Sequence, residues 1–277
     1  MIQVVVERLL NVALPLFVAP FLIFTALAFL KKGKAALNWS SGLTESVRVN
    51  TALMLVNSAL APVIVLTLGP LQHFVDSGGV WRLDPALWQA LPAWLVVLLA
   101  VMLADFSDYW VHRLMHTKWL WPSHVIHHSD TVMNNTTSVR MHIIELVIMA
   151  SSFLMVATVM SLPPVLAGLA GLFIPFYNRF VHLDADYHWG PLNRILNSPR
   201  LHRWHHADVP EAYGKNFANM FSLWDTLFGT YYLPGVCHHD LGVKDGPEQN
   251  LLLNYAWPLK TLAEAVPPLR QRLLRHS

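Results

Sequence analysis

Residues 105–128 read DFSDYWVHRLMHTKWLWPSHVIHH, and residues 198–206 read SPRLHRWHH. Together they carry His112, His116, His124, His127, His128, His202, His205 and His206, out of 15 histidines in the chain. On a helix His112 and His116 lie one turn apart on one face. Each HxxHH presents two imidazoles on one face and a third beside them. Neutral imidazole is the commonest metal-binding side chain, and clustering it builds a site without adding negative charge. A lone HxxxH is a weak signal. An HxxxH followed by two HxxHH repeats, all beside membrane-length apolar runs, points to a metal centre rather than to a set of unrelated polar histidines.

The rest of the composition says where such a centre would sit. Of 277 residues, 54% are hydrophobic and 13% charged, against about 25% charged in a soluble domain. Mean hydropathy is +0.40. This is the balance of an integral membrane protein. A net charge of +2 gives no argument for a nucleic-acid partner. Cys237 is the single cysteine, which excludes an intrachain disulfide and any cysteine-built metal site.

Outward from the histidines, four apolar runs organise the chain. Residues 9–30 carry no charge, are long enough to span a bilayer, and contain Pro15 and Pro20 as kink points. Lys31, Lys32 and Lys34 follow at once and place that end on the cytoplasmic side, with the N-terminus outside; Arg8 argues weakly the other way. The second span is read at about 50–75 and the third at about 86–104, the latter opened by Pro85 and flanked by Trp88 and Trp94. The run 146–178 is split by Leu162-Pro163-Pro164 and is expected to form two short spans or a partly penetrating hairpin. Residues 214–235 are aromatic and turn-rich, as suits an interfacial cap over the site. Residues 236–257 read as a loop, and 258–275 as an amphipathic surface helix broken at Pro267-Pro268. The expected fold is an all-α membrane helical bundle, one domain over 1–277 with its core motifs in 105–234.

Eight histidines exceed the three or four protein ligands of a single zinc or non-haem iron, whereas two metals would use about eight to ten. The Glu-x-x-His pattern of soluble di-iron bundles is missing. The expectation is therefore a nearly all-histidine pair of metals. Asp108, four residues before His112, is read as a carboxylate that orients an imidazole through its second ring nitrogen; the alternative is a helix-end polar residue facing water.

The segments DYWVHRLMH, LWPSHVIHHS, NNTTSVRMHIIE, NSPRLHRWHH and KNFANMFSLWDTLFGTYYLP, in this order, resemble the fatty acid hydroxylase and sterol desaturase superfamily of membrane enzymes. The resemblance implies two iron ions held by histidines near the cytoplasmic membrane face, dioxygen as co-substrate, and a lipid substrate entering from the bilayer. Carried over residue by residue, it implies His112, His116, His124, His127, His128, His202, His205 and His206 as ligands. It adds His182 from VHLDADYHWG, with His188 a weaker candidate. Some members carry a paired HxxxH there; here the residue four after His182 is Asp186, so His188, Asp186 or water is left to fill that place. His142, in RMHIIE, matches a family motif either as a ligand or as a supporting residue.

The function so implied is an oxygen-dependent lipid monooxygenase that hydroxylates or desaturates an unactivated C–H bond of a fatty-acyl, alkyl-glycerol or sterol-like substrate. No nucleotide-binding G-x-G-x-x-G is visible, so electrons are expected from an external ferredoxin or cytochrome-type donor. The expected location is the inner membrane of a bacterium or the endoplasmic reticulum of a eukaryote. The rivals are a histidine-rich divalent-metal transporter, which would place ionisable ligands within the spans, and a zinc-dependent lipid hydrolase, which would leave most of the histidines unexplained.

Overall fold

The structure, a computed structural model, describes residues 18–34, 40–244, 246–247 and 249–265. The first part of the expected span 9–30, with Pro15, and the expected break at Pro267-Pro268 lie outside them. The described residues form helices joined by loops, with no strand and one isolated antiparallel bridge between Ala207 and Leu241.

Helix α1, Ala19–Lys32, starts with Pro20 in its first turn and ends at Gly33, whose φ of 59° suits a residue without Cβ. Lys31 and Lys32 fall in its last turn, where cations meet the negative end of the helix dipole. Helix α2, Ser41–Ala59, is capped by the Ser40 hydroxyl, which accepts from Leu43 N at 3.1 Å. Helix α3, Ala61–Phe74, follows with a bend of 53°. Pro62 explains the break, because it lacks an N–H and disfavours helical backbone in the residue before it. The sequence reading of one span at 50–75 is thus corrected to a bent pair over 41–74.

Helix α4, Ala93–Met115, is the central element. It starts after Pro92 rather than Pro85; residues 86–89 form a separate single turn. It also runs past the expected end at residue 104, through Asp105 and Asp108, as far as the first histidine. Helix α5, Trp121–His128, carries the first HxxHH. Helix α6, Ile143–Val159, and helix α7, Pro164–Val181, are the two halves of the expected hairpin, parted at Pro163-Pro164. Helix α8, Pro199–His205, carries the second HxxHH, helix α9, Leu223–Phe228, lies in the cap, and helix α10, Leu251–Ala265, closes the described chain. Helix α10 begins seven residues before the helix that the sequence reading starts at 258, inside the expected loop.

Helices α4 and α7 are long and apolar enough to cross a membrane, and the bent pair α2–α3 adds a third span if counted as one. Helix α6 has 17 residues and falls short by length. Leu66 of α3 (76% exposed), Val165 of α7 (74%) and Leu22 of α1 (60%) point outwards, a surface that suits lipid rather than water. They mark an integral membrane protein.

Small residues let the helices approach. Ala100 and Ala104 on α4, four apart, pack with Ala170 and Ile174 of α7 and with Met160 and Phe221. Gly171 on α7 lies so close to the Phe153 ring of α6 that a Cβ there would sit 3.1 Å from it. Ser107 and Ser152 share a hydrogen bond of 2.7 Å between α4 and α6. At the C-terminal end of α1, Lys32 pairs with Asp184 at 2.5 Å and Lys31 lies over the Tyr187 ring. The lysine-bearing end of α1 therefore sits beside His182, at the same end of the bundle as the histidines.

Candidate metal centre

The histidines converge, and they do so as two groups. His112, His116, His124, His128 and His205 form one; His127, His182, His202 and His206 form the other. Within each group the candidate ligand atoms lie within 4.8 Å of one another. All nine of the leading sequence-predicted positions are in these groups.

Helical geometry explains the partition. The pairs His112–His116, His124–His128 and His202–His206 are each four residues apart, and each pair stays within one group. The histidine inside each HxxHH goes to the other group: His127 leaves α5 for the four-residue group, and His205 leaves α8 for the five-residue group. The two motifs are used reciprocally, so α5 and α8 bind the groups together. Parallel rings bridge them, with His128 and His206 stacked at 4.5 Å and His202 and His205 at 5.3 Å between centroids.

The spacing of the rings fits metal binding. Nε2 atoms lie 3.1 Å apart in His127–His182 and in His182–His202, and 3.0 Å apart in His112–His205. Two nitrogens about 2.1 Å from one ion and at right angles to each other lie about 3.0 Å apart. His116 Nε2, His202 Nδ1 and both ring nitrogens of His206 are buried without a partner. A buried donor or acceptor left unpaired costs about 1–3 kcal/mol, and metal coordination would satisfy one nitrogen on each ring.

Most of the remaining nitrogens are tied to protein oxygens. Nδ1 of His112 reaches Phe217 O at 2.6 Å, His205 Nδ1 reaches Lys215 O at 2.7 Å, and His182 Nδ1 reaches Asn178 O at 2.7 Å. His127 Nδ1 faces Arg140 O at 3.3 Å and His124 Nδ1 faces Glu145 Oε1 at 3.0 Å. Such contacts fix the tautomer and aim Nε2 inwards. The cap supplies two of them from alternate residues. Between Lys215 and Phe217, Asn216 sits at φ 56° and is held by Leu201 O and Tyr232 O. The Asp225 carboxylate then accepts from Phe217 N at 2.8 Å, Ala218 N at 3.0 Å and the Thr230 hydroxyl at 2.7 Å.

The carboxylate that orients an imidazole is Glu145, not Asp108. Glu145 is buried at the start of α6, and its contact with His124 spans 21 residues of sequence. Asp108 is buried yet bonds no histidine; it faces the cavities described below. Asp105 ties α4 to the cap by accepting from Met220 N and Phe221 N, each at 2.8 Å. His142 is no member of either group. It caps α6, with Nδ1 accepting from Ile144 N at 3.2 Å. His188 and Asp186 are exposed; His188 accepts from Gly190 N, and Asp186 pairs with Arg200 through two contacts of 2.6 Å. The sequence signal for Glu145 was its place in RMHIIE, but a carboxylate so far from its partner has no local pattern.

A second layer centres on Arg140, fully buried in the loop before α6. Its guanidinium donates to Ile126 O at 2.7 Å, Ser129 Oγ at 2.8 Å, Gln249 Oε1 at 2.9 Å, Asn50 Oδ1 at 3.1 Å and Asn254 Oδ1 at 3.2 Å. The Asn50 amide in turn donates to the Asp130 carboxylate at 2.8 Å. One side chain thus joins α2, α5 and α10 behind the histidines.

Three cavities meet the centre. A chamber of about 40 Å³ is lined by rings from both groups together with Glu145 and Asp108, room enough for a water or a small diatomic molecule. An apolar cavity of about 750 Å³ between α6 and α7 shares Asp108, Met141, Met149, Asn178 and Asn219 with that chamber. A pocket of about 430 Å³ reaches His116, His128, His205 and His206, beside Lys118, Asp208 and Tyr213.

The fatty acid hydroxylase family model matches residues 97–230. This match, over just under half of the chain, supports the fatty acid hydroxylase superfamily. The matched residues hold both histidine groups, Glu145, Arg140 and most of the cap. Among curated relatives, the chain is similar to the human alkylglycerol monooxygenase, 28% identical over 221 residues that cover 79% of this chain and 47% of the relative. It is 29% identical to the ornithine lipid hydroxylase OlsE of Rhizobium tropici over 164 residues, 58% of this chain and 50% of that protein. It is 34% identical to a very-long-chain aldehyde decarbonylase of Oryza sativa over 154 residues, 50% of this chain and 55% of the other. The chain thus spans about half the length of these relatives. No solved structure matches it.

Two measurable consequences follow from this site. Glu145→Gln keeps the shape of the side chain but weakens its hold on His124, and metal affinity is expected to fall about 10- to 100-fold; titration of the metal-free variant with Fe²⁺ measures it. The second concerns pH. Burial first, and neighbouring imidazoles or His112 after it, hold His124, His127, His128, His202, His205 and His206 well below the usual histidine range, and burial pushes His182 down to about 4. The folded pKa lies below the unfolded one, so the unfolded chain binds more protons on acidification. Stability of the metal-free protein is full above about 6.5 and is lost as pH falls towards 4. Thermal unfolding at pH 7.5 and at pH 5 reads this directly, with the lower midpoint expected at pH 5. An unchanged midpoint would contradict it.

Proposed function

We propose that this chain is a membrane oxidoreductase, a lipid monooxygenase in which two iron ions sit in the two histidine groups and dioxygen is the co-substrate. The observation that carries the reading is the pairing of a nine-histidine, two-group site with an apolar cavity of about 750 Å³ that opens onto it. The names of the relatives, monooxygenase and hydroxylase, support the reaction class. The substrate is a fatty-acyl, alkyl-glycerol or sterol-like lipid, hydroxylated or desaturated at an unactivated C–H bond.

His112, His116, His124, His128 and His205 would hold one iron, and His127, His182, His202 and His206 the other. Bound iron supplies the oxygen chemistry needed to break such a bond. The chain's own residues prepare it. Backbone carbonyls of Lys215, Phe217, Asn178 and Arg140, with the Glu145 carboxylate, fix the rings before any ligand arrives, which keeps the reacting geometry tight. Leu146, Phe153, Leu169 and Phe173 line a dry path by which a lipid chain reaches the chamber from the bilayer side. The pocket beside Lys118 and Tyr213 gives the other face of the histidines to water and to an external electron donor of ferredoxin or cytochrome type. The lysines at the end of α1 lie near His182, which under the positive-inside rule supports a site on the cytoplasmic side. Residues 1–277 act as one membrane-embedded domain, in the inner membrane of a bacterium or the endoplasmic reticulum of a eukaryote.

The test is metal analysis of anaerobically purified protein, followed by lipid analysis of membranes with and without the active chain under air and under nitrogen. About two irons per chain and a hydroxylated or desaturated lipid that appears only under air are expected. Zinc alone after purification from iron-replete cells, with no oxygen-dependent product, would overturn the proposal.

A further inference from the structure

The two histidine groups are not held alike. In the cap, one short segment aims two rings of the five-histidine group. Phe217 O meets His112 Nδ1 at 2.6 Å, and Lys215 O meets His205 Nδ1 at 2.7 Å. These rings come from different helices, α4 and α8, yet their Nε2 atoms lie 3.0 Å apart. The Phe217 ring also packs on His112, His116 and His205, all of the same group. The four-histidine group is tied elsewhere. His182 Nδ1 is held within its own helix by Asn178 O, and His127 Nδ1 faces Arg140 O. His202 Nδ1 and both nitrogens of His206 bond no protein group. Among the described residues, no hydrogen bond joins the cap to these four rings.

Peptide geometry shows what aims the two cap carbonyls. The N–H and C=O of one trans peptide point opposite ways. Asp225 Oδ2 accepts from Ala218 N at 3.0 Å, which turns the Phe217 carbonyl of that peptide towards His112. Thr230 O accepts from Asn216 N at 2.9 Å, which turns the Lys215 carbonyl towards His205. Asp225 also holds Thr230: Oδ1 accepts from its hydroxyl at 2.7 Å, and the Asp225 carbonyl accepts from its N–H at 2.9 Å. The same hydroxyl meets Tyr109 Oη at 2.9 Å, three residues before His112 on α4. Between the two carbonyls, Asn216 keeps a φ of 56°, which a residue with a side chain holds only when its surroundings impose it. Asp225 itself is fully buried and touches no ring. We infer that Asp225 is a positioning residue for one metal position only. Through the Phe217 and Lys215 carbonyls it sets His112 and His205, and with them the affinity of the five-histidine group; the four-histidine group is independent of it. The inference rests on the two-metal reading above.

The test is anaerobic titration of the full metal-free chain in detergent with Fe²⁺, in two backgrounds that each keep one group. His127→Ala breaks the four-histidine group, and His116→Ala with His124→Ala leaves three rings in the other. Asp225→Asn keeps the shape of the side chain but sets an amide NH₂ among backbone donors. In the His127→Ala background it is expected to weaken Fe²⁺ binding by about tenfold or more. In the other background the same change should move the affinity by less than about twofold. Thr230→Val removes only the hydroxyl between Asp225 and Tyr109; it is expected to cost about threefold, in the first background alone, and carries the test if Asp225→Asn does not fold. Ser222→Ala is the structural control. It breaks another buried cap hydrogen bond, 2.6 Å to Asn193 O, and should leave both affinities within about twofold. Thermal transitions of the metal-free variants put them on one scale of destabilisation. An equal loss in both backgrounds, unchanged binding in Asp225→Asn, or a matching loss in Ser222→Ala would overturn the inference. Native protein that takes up two Fe²⁺ while Asp225→Asn weakens both alike sinks the inference and leaves the metal pair standing. Native protein that takes up only one overturns the pair itself, and the inference with it.

Discussion

Replacing His127 by alanine is expected to reduce iron from about two ions per chain to about one and to bring oxygen-dependent product to background. His127 is one of four imidazoles in its group, and its Nε2 lies 3.1 Å from that of His182. Three rings would be left for an ion that has no carboxylate among its candidate ligands. His205→Ala removes one of five and leaves four, so that variant should keep more metal while losing the contact of 3.0 Å to His112. The comparison fixes the order: His127→Ala loses more iron than His205→Ala. His188→Ala and His142→Ala should both keep two ions, because one ring is exposed and the other caps a helix. Two irons retained in His127→Ala would remove that residue from the ligand set.

Arg140→Met is expected to destabilise the protein by about 3–5 kcal/mol, the range for removing one partner from a buried charged network. Five acceptors on three separate segments lose their donor, and none of Asn50, Ser129 or Asn254 is placed to replace it. Arg140→Lys should recover little, because an ammonium lacks the planar fork that reaches all of them. The loss should appear in the metal-free protein as well as the metal-loaded one, which separates it from a ligand effect. Arg113→Met is the control. Its guanidinium meets the Tyr109 hydroxyl at 3.3 Å and the Trp110 ring, and a change below about 1 kcal/mol is expected. Denaturant unfolding in detergent measures both. An Arg140→Met transition at the native midpoint would show that the network does not hold the bundle together.

Much of the helical layout could be read along the chain, but its boundaries could not. The split at Pro163-Pro164 was legible because proline cannot continue a helix from the preceding turn. The end of α4 was not. Asp105 and Asp108 look like the edge of a membrane span, yet Asp105 is buried by accepting two backbone N–H groups and the Trp224 indole, so the helix passes through them. Likewise α10 starts at Leu251 because Leu251, Tyr255 and Trp257 pack on Val49, Leu53 and Ile126, partners far removed from them in sequence.

The site divides in the same way. That these histidines come in helical pairs is a property of the sequence, since a period of 3.6 residues puts positions i and i+4 on one face whatever surrounds them. The choice of imidazole, and the lack of cysteine or abundant carboxylate to compete with it, is equally a matter of composition. Only the tertiary structure decided which ring joins which group. The meeting of the α5 and α8 histidines sends His127 and His205 to opposite partners, and no spacing rule encodes that exchange. It also decided that Glu145 supports His124 while Asp108 is left facing the cavity, because a carboxylate's role depends on what folding brings within 3 Å of it.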